Sequence, residues 1–163
     1  MSIAIYILLN VLVIAYAALC GVFLAFSDFI MRALDQVSGG AEAMQVINRT
    51  VFRWLFMALF IGLVPVSIGL AVYGWGMLGG GQGHLMALAG LCYLLGCFGV
   101  TAARNVPLNE ALAGMVTAAP ETQEFWHDTY VPRWTFWNTL RAFACGLSAA
   151  LVLASLGWQN AAF

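Results

Sequence analysis

Charged and uncharged positions alternate along this chain in five blocks. Residues 1–27, 54–103 and 142–163 carry no Asp, Glu, Lys or Arg, and every charged side chain falls between Asp28 and Arg53 or between Arg104 and Arg141. A hydrocarbon core about 30 Å thick needs about 20 apolar residues per helix, so the three uncharged tracts are long enough to cross once, twice and once. The pattern predicts spans near 3–27, 54–78, 84–103 and 136–158. A membrane β-barrel would read as short alternating segments instead of uninterrupted apolar runs. The expected fold is therefore all-α: a four-transmembrane-helix bundle forming one integral membrane domain, 1–163, with short interfacial helices in the two loops on the charged side. The first tract has no basic leader region and its apolar run is too long for a signal-peptide core, so it reads as a helix.

Within the first charged window, Ser38, Gly39 and Gly40 predict a break, followed by a helix from Ala41 that the second span continues. Glu42, Gln45, Arg49 and Arg53 share one stripe of that helix; Ala43, Val46, Ile47 and Val51 cover the other side. Pro65 reads as a tolerated kink. After the third span, a chain break is expected at Asn105, with Pro107 opening a new helix that ends before Ala119 and Pro120. A second short helix carries Trp126 and Tyr130, and Pro132 marks a bend. Small residues at helix-packing spacing (Ala58 and Gly62, Cys92 and Gly96, Gly99 and Ala103, Gly146 and Ala150) predict close crossings. Asn10 is expected to bond a neighbouring helix.

Composition supports the membrane reading: 63% of residues are hydrophobic, 8% are charged, and mean hydropathy is +0.92. The net charge of -1 gives no electrostatic basis for nucleic-acid binding. All six basic residues are Arg, and all lie on the side where both charged windows meet. By the positive-inside tendency that side is cytoplasmic, which places both termini and the turn at residues 79–84 on the other face of what is expected to be a bacterial inner membrane. The four cysteines, Cys20, Cys92, Cys97 and Cys145, sit inside predicted spans without metal-ligand spacing and read as small packing residues.

The richest chemistry lies in the charged windows. Trp126, Tyr130, Trp134, Trp137, Asn138 and Arg141 recur at three- and four-residue steps, as one helical face would. An interfacial aromatic belt explains the tryptophans. It explains Asn138 and Arg141 less well, because an Arg in mid-span costs roughly 2.5–3.5 kcal/mol on insertion scales. Asn48, Arg49 and Arg53 begin the second span, Asn105 and Asn109 follow the third, and Asp28 follows the first, so amides and arginines converge on one side.

Phe26-Ser27-Asp28-Phe29, Met44 to Asn48, Thr101 with Asn105-Val106-Pro107-Leu108-Asn109, and Trp126, Tyr130, Trp134, Trp137-Asn138 and Arg141 resemble the anthrone-oxygenase-like family of small membrane proteins, from Gly21 to Arg141. The resemblance implies four membrane helices and, for members with an assigned role, oxygenation of a polyketide anthrone to an anthraquinone without a cofactor. Such chemistry needs an acidic aromatic held as its anion. Arg141, Arg49 and Arg53 are candidates to stabilise the charge, with Asn48, Asn105, Asn109 and Asn138 as hydrogen-bond donors and Thr101 beside them. Trp126, Tyr130, Trp134 and Trp137 are candidates to stack on the rings. Asp28, Glu110, His127 and Asp128 are candidate bases.

His84 and His127 lie on opposite sides of the predicted bundle and so cannot ligate one metal, and no metal or cofactor is expected. The expected partners are the lipid bilayer and a lipophilic aromatic molecule, with a homo-oligomer or a larger membrane complex also open. Two other functions fit the pattern: a structural or accessory membrane subunit whose amides and arginines satisfy one another, and a small-molecule transporter.

Overall fold

The computed structural model describes residues 2–53 and 55–160. Five helical rods account for nearly all of them: α1 (Ile3–Asp35), α2 (Gly40–Thr50), α3 (Leu55–Leu78), α4 (Gly80–Ala113) and α5 (Pro120–Trp158). No strand occurs among the described residues. All but α2 are long and apolar enough to cross a membrane, and their outward faces carry large aliphatic and aromatic side chains such as Ile14, Leu24, Leu95 and Phe143. Trp54, the expected first residue of the second span, lies outside the described residues.

The rods overrun the bilayer. α1, α4 and α5 have 33, 34 and 39 residues, against the roughly 20 a crossing needs. Since the charged residues sit at one end of each, that end projects as a helical superstructure instead of dissolving into loops. The chain break expected at Asn105 does not occur, and the helix is continuous through Pro132, where a bend is expected. α4 runs on through a wide turn, Thr101–Asn105, in which Val106 N donates to Thr101 O. α5 does the same at Trp126–Tyr130, with Val131 N donating to Trp126 O. Pro107 and Pro132 each fall at the second position after such a turn, where the backbone bonds are already shifted by a residue. The missing proline N–H and the bulky ring are thereby absorbed. A third wide turn, Phe26–Ile30, interrupts α1 at the same level, with Met31 N donating to Phe26 O.

Ends and turns follow the glycines. At Gly40 a β-carbon would collide with Leu34 O, so the reversal from α1 into α2 accepts no side chain there. Gly79 and Gly80 adopt φ of 61° and 62°, which glycine reaches without strain, and they turn α3 into α4. Between α2 and α3 the chain does not continue as one helix; a single tighter turn, Val51–Arg53, intervenes.

In space α1 packs along α5, α5 along α4, and α4 along α3, whereas α3 and α1 touch at few points. Two hydrogen bonds hold α3 in place at mid-membrane: Tyr16 and Ser67 hydroxyls lie 2.6 Å apart, and Tyr93 Oη donates to Phe60 O at 2.6 Å. Gly96 abuts Ala144, as expected of a packing glycine. Asn10 bonds its own helix, donating to Tyr6 O at 2.8 Å, and not a neighbour.

A second apolar cluster caps the charged end: Met31, Ala41, Met44, Leu112, Trp126, Tyr130 and Trp134. α2 is its lid. Burying side chains such as Met44 and Leu112 contributes roughly 1.5–3 kcal/mol each. The α2 stripe differs from the sequence reading in two positions. Gln45 sits on the packed face, donating to Leu112 O at 2.8 Å and Met115 O at 3.0 Å, and Val46 is exposed. The long glutamine bonds the carbonyls at and just past the end of α4, which decides its side.

Candidate functional site

Because α1 and α3 touch at few points, a cavity of about 530 Å³ opens between them, beneath α2 and against α4 and α5. Its walls are mostly apolar: Phe23 and Phe26 from α1, Met44 and Ile47 from α2, Phe56 and Phe60 from α3, Phe98 from α4. Exposed Val22 and Ile61 stand at its rim. The polar lining is Asn48, Thr50, Thr101, Asn109, Asn138 and Arg141, with Trp134 beside them. Volume and lining match the usual small-molecule site, a few hundred Å³ of apolar wall with a few convergent polar groups.

Arg141 is the centre of that polar group. Its side chain is 6% exposed. Nη2 donates to Asn138 Oδ1 at 2.6 Å and Nη1 to Thr101 Oγ1 at 3.2 Å, while Nε has no partner. The Thr101 hydroxyl gives its own hydrogen to Cys97 O at 2.8 Å, so toward the guanidinium it only accepts. The guanidinium carbon lies 4.4 Å from the Phe23 ring centre and 5.3 Å from that of Trp134. No carboxylate reaches it: the one ion pair among the described residues is His127 with Asp35, elsewhere. Two of five N–H donors are used and the charge has only rings and neutral oxygens for company.

Both N–H donors of Asn138 are used. Its Nδ2 donates to Phe23 O at 2.6 Å and Ser27 Oγ at 2.7 Å, and its Oδ1 takes Arg141. It therefore holds the guanidinium and ties α5 to α1, leaving no N–H for a ligand.

Asn109 and Asn48 line the same cavity. Tyr130 Oη and Trp134 Nε1 both donate to Asn109 Oδ1, at 2.8 and 2.9 Å, and Asn48 Nδ2 donates to Tyr130 Oη at 3.3 Å. Behind them the rings of Trp126, Tyr130 and Trp134 form a stacked ladder, with centres 5.2 and 6.3 Å apart, brought into register by the wide turn at Trp126–Tyr130.

The remaining sequence candidates fall outside the cavity lining. Asn105 is buried behind the wall, donating to Trp134 O at 3.2 Å. Trp126 and Tyr130 support the wall and do not form it. Trp137 lies under the Arg104 guanidinium at 4.9 Å. Arg49, Arg53 and Asp28 are exposed, as are Glu110 and Asp128. His127 Nδ1 is 2.8 Å from Asp35 Oδ1 in an exposed pair. No group of three His, Cys, Asp or Glu side chains among the described residues is placed to hold a metal ion.

Sequence reasoning missed Phe23, Phe60, Phe98 and Ser27 as site residues. The phenylalanines look like any lipid-facing ring in an apolar run. Ser27 belongs to the family-like segment Phe26-Ser27-Asp28-Phe29, but nothing in the sequence pairs it with Asn138.

Residues 54–151 match the family model described as anthrone oxygenase. The match takes in Thr101, Asn109, Trp134, Asn138 and Arg141 and leaves the α1 and α2 walls of the cavity outside it. No curated protein and no solved structure matches the chain.

Proposed function

The chain belongs to the anthrone oxygenase family, and from that premise we propose that it holds a lipophilic aromatic ketone as its enolate in the cavity between α1 and α3 and oxygenates it to a quinone. The observation that carries this reading is Arg141, a buried guanidinium with no acidic partner, one turn from an amide that fixes it, in the wall of an apolar cavity. An uncompensated cation at this depth is costly unless an anion completes it. The rings of Phe23 and Trp134 partly offset that cost when the cavity is empty.

The chemistry is that of a stabilised carbanion with dioxygen. The substrate's ring methylene loses a proton to water at the cavity mouth, and the negative charge moves to the ketone oxygen, where Arg141 receives it. The electron-rich carbon adds dioxygen and is protonated to a hydroperoxide. Loss of water leaves a second ketone. One oxygen atom of dioxygen enters the product, the other leaves as water, and the methylene gives up both hydrogens. The apolar walls keep bulk water from the enolate, which strengthens the Arg141 contact.

In this reading the protein lies in a bacterial inner membrane with the cavity end cytoplasmic, and Arg49 and Arg53, exposed and close in sequence to lining residues, add positive charge near the site. A competing reading, an accessory subunit held together by polar contacts, draws on Asn138 and Asn105, whose amides bond backbone carbonyls of Phe23 and Trp134.

The test is oxygen uptake by the purified protein in lipid nanodiscs supplied with anthrone, using heavy-isotope dioxygen. Quinone carrying one labelled oxygen, formed faster than in empty nanodiscs, supports the oxygenase. A rate no greater than that of empty nanodiscs favours the accessory reading.

A further inference from the structure

We propose that Asn109 and Asn48 form a donor and acceptor pair for the ligand: the Asn109 amide N–H₂ donates to the ligand's anionic oxygen beside Arg141, and Asn48 Oδ1 accepts a hydrogen from a free hydroxyl elsewhere on the same ligand. The assignment rests on the reading of the cavity as an aromatic-anion site, and reverses the role expected of Asn48.

The orientations follow from one group that has no choice. An indole N–H only donates, and Trp134 Nε1 lies 2.9 Å from Asn109 Oδ1, so this end of the amide is the carbonyl. Tyr130 gives its single hydroxyl hydrogen to the same oxygen at 2.8 Å. With that hydrogen spent, the Tyr130 oxygen can only accept from Asn48, which fixes Nδ2 as the atom 3.3 Å away. Both amides are thus locked by a chain of bonds that starts at Trp134. Among the described residues neither Asn109 Nδ2 nor Asn48 Oδ1 has a protein partner, and both residues line the same cavity as Arg141.

A ligand complementary to this arrangement carries an oxygen acceptor at one place and a hydroxyl donor at another. A methyl ether in place of the hydroxyl turns a lone pair toward Asn48 Oδ1, and acceptor faces acceptor. Sites built to bond a hydroxyl reject the analogue that lacks it far more strongly than apolar sites discriminate by size.

The experiment compares 2-hydroxyanthrone with its methyl ether under argon, where binding proceeds without oxidation, by quenching of tryptophan fluorescence in nanodiscs. Wild type should bind the hydroxy compound about tenfold more tightly than the ether. Asn48→Leu should bring the two within about twofold of each other, whereas Asn48→Asp, which keeps an acceptor, should retain the preference. Asn109→Asp still accepts from Trp134 and Tyr130, so it should melt as wild type does. It should nonetheless lose about tenfold or more for both compounds, because the donor is gone and a carboxylate now faces the anion.

Equal binding of both compounds by wild type, a preference that survives Asn48→Leu, or Asn109→Asp binding like wild type would each overturn the pair and leave the aromatic-site reading standing. Binding of neither compound by wild type would overturn both.

Discussion

Arg141 Nη2 donates to Asn138 Oδ1 at 2.6 Å across one turn of α5, and the nitrogen of that same amide donates to Phe23 O at 2.6 Å on α1. The position of the guanidinium is thus tied to the seam between α1 and α5, one of the two most extensive helix contacts in the bundle. Asn138 acts through Arg141 as a positioning residue. Asn138→Leu keeps the size, removes the amide bond to Phe23 O and leaves a guanidinium nitrogen without its partner, at about 1–3 kcal/mol for the unsatisfied group. Its melting temperature in nanodiscs should fall, and the KM for an anthrone should rise about tenfold or more.

Much of this was legible in the residue pattern, for reasons particular to each feature. The four long helices are visible because charge is absent from whole tracts, and Arg141 stands out because a guanidinium one turn beyond Asn138 has no business in an apolar run unless something holds it. The break expected at Asn105 is absent because a proline signals a helix end only when the preceding turn is a regular one, and Pro107, like Pro132, follows a wide turn. The division of labour among the four asparagines was illegible. Asn138 and Asn109 have the same side chain on the same side of the membrane, and only partners far away in sequence, Phe23 for one and Trp134 for the other, decide which amide is used up and which is left free.

The cavity rim offers a test of access. Ile61 is 49% exposed on α3 at the mouth, where α1 and α3 diverge. Ile61→Trp adds a ring at the opening without disturbing the core, so the protein should melt as wild type does while kcat/KM for an anthrone falls about tenfold, mainly through KM. An unchanged KM would mean that substrate does not pass between α1 and α3.

The exposed candidates make the opposite prediction. Asp28 lies outside the cavity lining, and His127 spends its ring nitrogen on Asp35 at 2.8 Å in a pair open to solvent. Such surface pairs contribute roughly 0.2–1 kcal/mol. Asp28→Asn and His127→Ala should therefore each change kcat for an anthrone by less than about twofold. A larger loss of kcat in either variant would mark that residue as the base and move proton removal from water to a side chain.

Arg141→Gln tests the central claim most directly. Glutamine can still donate to Asn138, and it removes a buried charge that no acid compensates, so the fold should not lose stability. Truncating one partner of a buried charge pair costs about 2–5 kcal/mol of binding, enough to bring conversion down to the background rate. The decisive measurement is oxygen-dependent quinone formation from anthrone by this variant in nanodiscs, with its melting temperature recorded on the same sample. The account predicts a rate equal to that of empty nanodiscs and a melting temperature no lower than wild type. Quinone formation at the wild-type rate by Arg141→Gln would contradict it.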